Sequence, residues 1–148
     1  MNLRQVLDPK TISLDLLGVT KQAVIEELLD LLVRAGKLSN REAALKAVLE
    51  RESKMSTAIQ NGVAIPHAKT DSVNELVTAL GLKPKGMEFE SLDGKPSQIF
   101  ILTLSPQSKL GPHIQFLSAI SQSLDEPAVR RALLRARTPQ EIVDLLTA

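Results

Sequence analysis

Apolar residues recur every three or four positions over two early stretches of the chain, and this spacing predicts two amphipathic helices. The first covers residues 21–35 and is followed by Gly36, a residue type that often ends helices. Ser39 and Glu42 fit a capping box, so the second helix is predicted to start there and to end near residues 52–54. The first third of the chain is therefore expected to be mainly helical.

Shorter apolar runs in the middle of the chain predict β-strands. Apolar and polar residues alternate over residues 12–16, and residues 75–82 form a nearly continuous apolar run. Residues 98–104, with the sequence QIFILTL, are almost all apolar, which predicts a central strand covered on both faces. Asp93-Gly94 lies between the last two runs and predicts a hairpin turn.

Helical spacing returns in the last third of the chain. Pro112 and Pro127 are each predicted to open a helix, and Thr138 is predicted to cap the last one. Helices at both ends with strands between them predict an α/β fold with a central mixed β-sheet flanked by helices on both faces. We expect one domain over residues 1–148.

Composition narrows the range of functions. Charged residues make up 24% of the chain and the net charge is +1, so no nucleic acid is expected as a partner. Aromatic residues make up 2%, which argues against a platform for stacking bases. With no cysteine and two histidines, no metal site is expected. No apolar run could span a membrane and no signal peptide is recognisable, so we expect a cytoplasmic protein without direct membrane insertion.

Two histidines are the main candidates for chemistry. His67 follows a segment that contains Asn61-Gly62, which predicts a turn, and then Pro66. Rigid scaffolds often present reactive groups on such segments; the alternative is an ordinary surface histidine. His113 falls in the first turn of a predicted helix, where the helix dipole favours a neutral ring and a nearby phosphate. The alternative is a core histidine bonded to the backbone.

Other charged residues are weaker candidates. Arg51 could clamp an anion with its guanidinium, or could only cap its helix. Lys69 could help to bind an anion, or could be solvated. Glu26 and Glu27 are adjacent on the first long helix and are expected on its solvated face, not as paired catalytic carboxylates.

The segment from Arg51 to Lys69 reads RESKMSTAIQNGVAIPHAK, and it resembles the active-site signature of the fructose/mannitol-type enzyme IIA family. This family, which includes the nitrogen-regulatory enzyme IIA proteins, supplies phosphocarriers to the phosphoenolpyruvate-dependent phosphotransferase system (PTS). The likeness extends over nearly the whole chain, including the second histidine in PHIQF. It implies an α/β sandwich with a mixed sheet, in agreement with the pattern above.

The resemblance implies roles for five residues. His67 matches the histidine that takes a phosphoryl group from the phosphohistidine of the carrier protein HPr, and His113 matches the second histidine that holds or orients it. Arg51 matches an arginine beside the phosphoryl site, while Thr57 and Asn61 match phosphate-binding positions that line it. The family needs no metal or other cofactor.

The chain departs from the family pattern at two places. Ala68 stands where the family often has glycine, and Ala58-Ile59-Gln60 stands where it often has Gly-Ile-Gly. If those glycines serve a positive φ or a close backbone approach, the loop here must differ.

Two functions stay open. One is a phosphotransferase in sugar uptake, which passes the phosphoryl group to a IIB component. The other is a nitrogen-type regulatory module, whose phosphorylation state controls a target protein. A hydrolase that uses His67 as a base is disfavoured, because the sequence offers neither a nucleophile nor a metal site.

Overall fold

The computed structural model describes residues 2–148, which form six α-helices and one sheet of five strands. The strands are β1 (Ile12–Ser13), β2 (Val63–Ala64), β3 (His67–Lys69), β4 (Val77–Met87) and β5 (Ser97–Ser105). The helices are α1 (Leu3–Val6), α2 (Lys21–Arg34), α3 (Arg41–Lys54), α4 (Leu110–Leu124), α5 (Pro127–Leu134) and α6 (Pro139–Thr147), and a 3-10 turn covers Pro9–Thr11. The predicted α/β class is confirmed.

The sheet is built around the antiparallel pair of β4 and β5. β1 runs parallel to β4 on one side, and β2 and β3 run parallel to β5 on the other. β2 and β3 keep one register along β5, since Val63 pairs with Ile99 and His67 pairs with Thr103. Pro66 lies between the two strands, and because proline has no N–H to donate, the ladder is interrupted just before His67.

Side chains of β5 alternate between the two faces of the sheet, and both faces are covered. Ile99 and Ile101 pack with residues of α4, α5 and α6, whereas Phe100, Leu102 and Leu104 pack with residues of α2 and α3. Burial on both faces explains why this segment reads as a continuous apolar run. The prediction of a central strand is therefore confirmed.

The N-terminus of α3 differs from the prediction. Asn40, not Ser39, caps this helix, because its side-chain oxygen accepts a hydrogen bond from the N–H of Ala43 at 3.1 Å. The Ser39 hydroxyl instead donates to the backbone oxygen of Ser72 at 2.8 Å. The predicted capping box is wrong, because the serine hydroxyl is hydrogen-bonded to a residue that is distant in sequence.

The later helices follow the predicted signals more closely. α4 begins at Leu110, so Pro112 occupies its third position and not its first. Proline is still compatible with that first turn, whose N–H groups have no partner inside the helix. Pro127 opens α5, and the side chain of Thr138 caps α6, both as predicted.

The adjacent carboxylates of α2 are engaged and not merely solvated. Glu27 accepts the N–H of Leu17 at 2.9 Å and that of Gly18 at 2.7 Å. Glu26 forms an ion pair with Arg41 at 3.1 Å. These contacts join α2 to the preceding loop and to the start of α3, so the pair serves the scaffold.

Replacing Asn40 with alanine should lower the free energy of unfolding by about 1 kcal/mol, because α3 loses its side-chain cap. Glu42→Ala is the matched control: the Glu42 side chain is 83% exposed and pairs with the adjacent Arg41. It should change stability by less than about 0.5 kcal/mol. Urea unfolding followed by circular dichroism measures both, and equal losses would favour the capping box.

Candidate functional site

His67 stands at the first position of β3, and a backbone contact determines which of its nitrogens carries a proton. Its Nδ1 lies 2.8 Å from the carbonyl oxygen of Ile65. A carbonyl oxygen can only accept a hydrogen bond, so Nδ1 carries the proton. In the neutral ring the lone pair therefore lies on Nε2, which is the nitrogen able to attack an electrophile.

The loop before His67 reverses direction at a tight turn. Asn61 and Gly62 have φ values of 64° and 71°, and the N–H of Val63 donates to the carbonyl of Gln60 at 3.2 Å. Two consecutive positive φ values define a type I′ turn, which favours the sequence Asn-Gly. The turn predicted at this dipeptide is confirmed.

The departures from the family pattern fit this loop without strain. Its left-handed positions are Asn61 and Gly62, so Ala58 and Gln60 have no need of glycine's freedom. Ala68 is 6% exposed and packs in the core shared by α2 and α3. The side chains of Ala58, Gln60 and Ala68 are therefore accommodated where the family often has glycine.

A buried carboxylate near the end of α3 holds the start of the loop. Glu52 is 6% exposed, and its two oxygens accept the N–H and the hydroxyl of Thr57 at 2.9 and 2.8 Å. The Nζ atom of Lys21, from α2, lies 3.0 Å from the same carboxylate. The carbonyl of Thr57 accepts the N–H of Ile65 at 3.3 Å. These contacts connect the helical layer to the carbonyl that orients His67.

The second histidine comes from α4, which packs on the face of the sheet opposite to α2 and α3. His113 lies in the first turn of α4 and is 4% exposed. Its ring centroid is 5.5 Å from that of His67, with the ring planes inclined at 57°. Its Nδ1 lies 2.7 Å from the hydroxyl oxygen of Ser105, at the end of β5. The ring is buried, but its partner is a side chain and not the backbone.

Both rings are neutral at pH 7 because of their surroundings. Burial lowers the pKa of His67 below the usual 6.5; the hydrogen bond to Ile65 opposes this and the charge of Arg51 reinforces it. Burial also lowers the pKa of His113 to about 4, with His67 and Lys69 acting in the same direction. The neutral form of His67 is the one that can act as a nucleophile.

The two histidines open onto a cleft of about 450 Å³ where α3, β3 and α4 meet. The lining residues are Ala47, Glu50, Arg51, Lys54, His67, Ala68, Lys69, Leu110, His113, Ile114 and Leu117. Basic side chains outnumber acidic ones in this lining. The cleft therefore favours an anionic ligand.

Arg51 lines the cleft and also caps its own helix. Its Nη1 donates to the carbonyl of Met55 at 2.8 Å, and this is the one hydrogen bond of the guanidinium to residues 2–148. Its other N–H donors stay available to an anion. The structure therefore brings together His67, His113 and Arg51.

Thr57 and Asn61 do not line this cleft. Both border a separate depression of about 140 Å³, together with Ile59, Ile65 and Asp125 among others. Thr57 is 7% exposed, and its hydroxyl is bonded to Glu52. Its visible role is to shape the loop, and direct phosphate binding by either residue stays a prediction.

Sequence reasoning missed two residues of the site. Glu52 continues the inward stripe of Leu45 and Val48, so its helical spacing was a usable signal for a buried carboxylate. Ser105 contacts His113 only because α4 packs against the end of β5. No local pattern indicates that contact.

Within residues 2–148, no three His, Asp or Glu side chains gather in a way that could hold a metal ion. None of the helices in these residues has the length and apolar character needed to cross a membrane. The charged groups of the cleft are those of Glu50, Arg51, Lys54 and Lys69.

The family of the chain follows from comparison with known proteins. Residues 5–148 match the family described as "Phosphoenolpyruvate-dependent sugar phosphotransferase system, EIIA 2". The chain therefore belongs to this PTS EIIA family, and the predicted resemblance is confirmed. It is 42% identical over 135 residues to the PTS fructose-specific EIIA component of Haloferax volcanii, covering 91% of this chain and 88% of that protein.

Solved structures share the fold. The nitrogen regulatory protein IIA-Ntr of Neisseria meningitidis superposes with a TM-score of 0.90 at 27% identity, covering 98% of this chain and 99% of that one. The mannitol enzyme IIA of Escherichia coli, solved in complex with phosphorylated enzyme IIB, gives a TM-score of 0.78 at 24% identity, covering 95% and 96%. Sugar-specific and nitrogen-regulatory proteins thus have the same architecture as this chain.

Acid should destabilise the folded protein in part through His113. Its pKa is about 4 in the folded chain against 6.5 in an unfolded one. Between pH 7.5 and pH 5, the unfolded state therefore takes up a proton that the folded state does not. This difference predicts a loss of about 2 kcal/mol of folding stability.

Urea unfolding at pH 7.5 and pH 5 measures this loss. His113→Gln lacks the titrating ring, so its stability should fall by about 2 kcal/mol less than that of the wild type over the same interval. Equal losses in the two proteins would show that the folded ring is not held neutral.

Proposed function

We propose that this chain is a cytoplasmic phosphocarrier, which accepts a phosphoryl group on Nε2 of His67 from phospho-HPr and passes it to a IIB component. The observation that carries the proposal is the 2.8 Å hydrogen bond from His67 Nδ1 to the Ile65 carbonyl. It leaves the Nε2 lone pair as the nucleophile of a neutral ring that lines a basic cleft. Membership of the EIIA family supports the same chemistry.

The proposed step is an in-line transfer between two nitrogens. Nε2 of His67 forms a bond to phosphorus while the N–P bond of the donor phosphohistidine breaks, and the donor ring keeps that electron pair. Nδ1 of His67 keeps its proton, which is hydrogen-bonded to the Ile65 carbonyl, so the phosphorylated ring carries a positive charge. The donor phosphohistidine is protonated on its other ring nitrogen, so its ring leaves as a neutral imidazole and no proton has to move. One N–P bond replaces another, so the transfer is nearly isoenergetic and needs mainly positioning and charge stabilisation.

Arg51 and His113 are proposed to supply that stabilisation. The free donors of the Arg51 guanidinium match the geometry of phosphoryl oxygens. His113 lies beside His67 and in the first turn of α4, whose N-terminal end attracts negative charge. Lys69 adds a further positive charge to the lining.

Two onward routes have support. Sugar uptake through a IIB component is favoured by the likeness to a fructose-specific EIIA component. A regulatory role, in which phosphorylation of His67 controls a target protein, is favoured by the close structural likeness to a nitrogen regulatory protein. Adding a fructose-type IIB component to the phosphorylated chain separates them: loss of the phosphoryl group favours uptake, and retention favours regulation.

Incubation with phosphoenolpyruvate, enzyme I and HPr should add one phosphoryl group to the wild-type chain, and acid should remove it because phosphoramidates hydrolyse when protonated. His67→Gln should stay unmodified, since the nucleophile is gone. His113→Gln should still be modified, but more slowly. Intact mass before and after acid treatment gives the result, and a phosphorylated His67→Gln would refute the assignment.

Arg51→Ala should slow transfer from phospho-HPr by on the order of 10²-fold, because a positioned donor is lost where charge develops. Its effect on stability should be about 1 kcal/mol or less, since the side chain bonds only the end of its own helix. Arg51→Lys should recover part of the rate, because a point charge lacks the planar fork.

Arg34→Ala is the matched control, since Arg34 also lies in the last turn of a 14-residue helix but outside the cleft. Rapid-quench transfer assays and urea unfolding of each variant make the comparison. A wild-type transfer rate in Arg51→Ala would show that this arginine caps its helix and does not take part in transfer.

A further inference from the structure

The hydroxyl of Ser105 is buried and has a single hydrogen-bond partner. Ser105 ends β5 and is 0% exposed. Its Oγ lies 2.7 Å from Nδ1 of His113, and no other group within residues 2–148 bonds to that hydroxyl. The backbone oxygen of Ser105 accepts the N–H of Thr70 at 2.8 Å, which fixes the residue in place.

We propose that Ser105 is a positioning residue, whose hydroxyl donates to Nδ1 of His113 and so keeps the proton of that ring on Nε2. A protonated Nε2 can donate a hydrogen bond to a phosphoryl oxygen on His67, whereas the opposite tautomer cannot. The expected effect on phosphoryl transfer rests on the proposed function, whereas the assignment of the His113 tautomer is independent of it.

The groups around Ser105 and His113 determine which of the two donates in their hydrogen bond. Burial and the nearby His67 hold the His113 ring neutral, so it carries one N–H. If Nδ1 donated, the hydroxyl hydrogen of Ser105 would be buried without an acceptor among residues 2–148, and an unsatisfied buried donor is costly. If Ser105 donates, its hydrogen and the Nδ1 lone pair satisfy each other.

The two histidines therefore hold opposite tautomers, because different groups meet their Nδ1 atoms. Ile65 offers His67 a carbonyl oxygen, which only accepts, so the Nε2 lone pair is left free. Ser105 offers His113 a hydroxyl hydrogen, so Nε2 keeps its proton. With the ring centroids 5.5 Å apart, one ring can carry the phosphoryl group while the other donates to it.

Nitrogen-15 NMR of the unphosphorylated wild-type protein at pH 7.5 tests the tautomer directly, because protonated and unprotonated ring nitrogens differ widely in chemical shift. We expect His113 to carry its proton on Nε2. Ser105→Ala should raise the population protonated on Nδ1, and Ser105→Thr, which keeps the hydroxyl, should restore the wild-type pattern. A wild-type ring protonated on Nδ1 would overturn the proposal.

Ser97→Ala is the matched control. Ser97 is the first residue of β5, at the far end of the strand from Ser105, and is 1% exposed; its hydroxyl has no hydrogen-bond partner within residues 2–148. Removing that hydroxyl should leave both the His113 spectrum and the transfer rate unchanged. This variant measures the effect of losing a buried hydroxyl that does not contact His113.

Transfer kinetics from phospho-HPr test the consequence. Ser105→Ala should lower kcat by about 10-fold with little change in KM, because the lost interaction is made to the transferring group. Equal kcat values in Ser105→Ala and Ser97→Ala would overturn the positioning role. A wild-type protein that takes up no phosphoryl group would instead refute the proposed function, and the NMR spectrum would still decide the tautomer.

Discussion

The site depends on the contacts that the buried carboxylate of Glu52 makes with Lys21 and Thr57. A charge in the interior is tolerated only when it is paired and hydrogen-bonded, and Lys21 and Thr57 meet both needs. Because Thr57 also holds the N–H of Ile65, the position of the Ile65 carbonyl follows from a contact inside the helical layer. Contacts within the scaffold thus determine the orientation of His67, although the ring itself lies at the edge of the sheet.

The cleft forms where the end of one helix meets the beginning of another. α3 ends beside it with basic residues in its last turn, including Arg51, and α4 begins beside it with His113 in its first turn. The unpaired N–H groups at the start of α4 and the basic side chains at the end of α3 both attract negative charge. β5 holds the two layers in register, because it pairs with β3 and packs against both sets of helices. An anionic group is therefore favoured by backbone and side chains together.

Features set by local spacing were predictable from the sequence, and features set by contacts between distant segments were not. The long helices, the central strand and the Asn-Gly turn follow from periodicity and from the need for positive φ. His67 stood out by its surroundings and by the family resemblance. The cap of α3 was wrongly assigned to Ser39, because the sequence does not reveal that Ser72 lies beside it. The contact of Ser105 with His113 likewise depends on how α4 packs on the sheet.

The short strands at the edge that carries His67 have a consequence for how the molecule behaves among its own copies. An open strand edge can pair with the edge of another chain and begin an aggregate. Here β2 and β3 are two and three residues long, the N–H of Ile65 on this edge already donates to the carbonyl of Thr57, and Ala58 pairs with Ala64 across the same edge. The edge that carries His67 is thus a poor template for a further strand. The protein can leave the His67 ring accessible to other proteins without offering a continuous ladder for self-association.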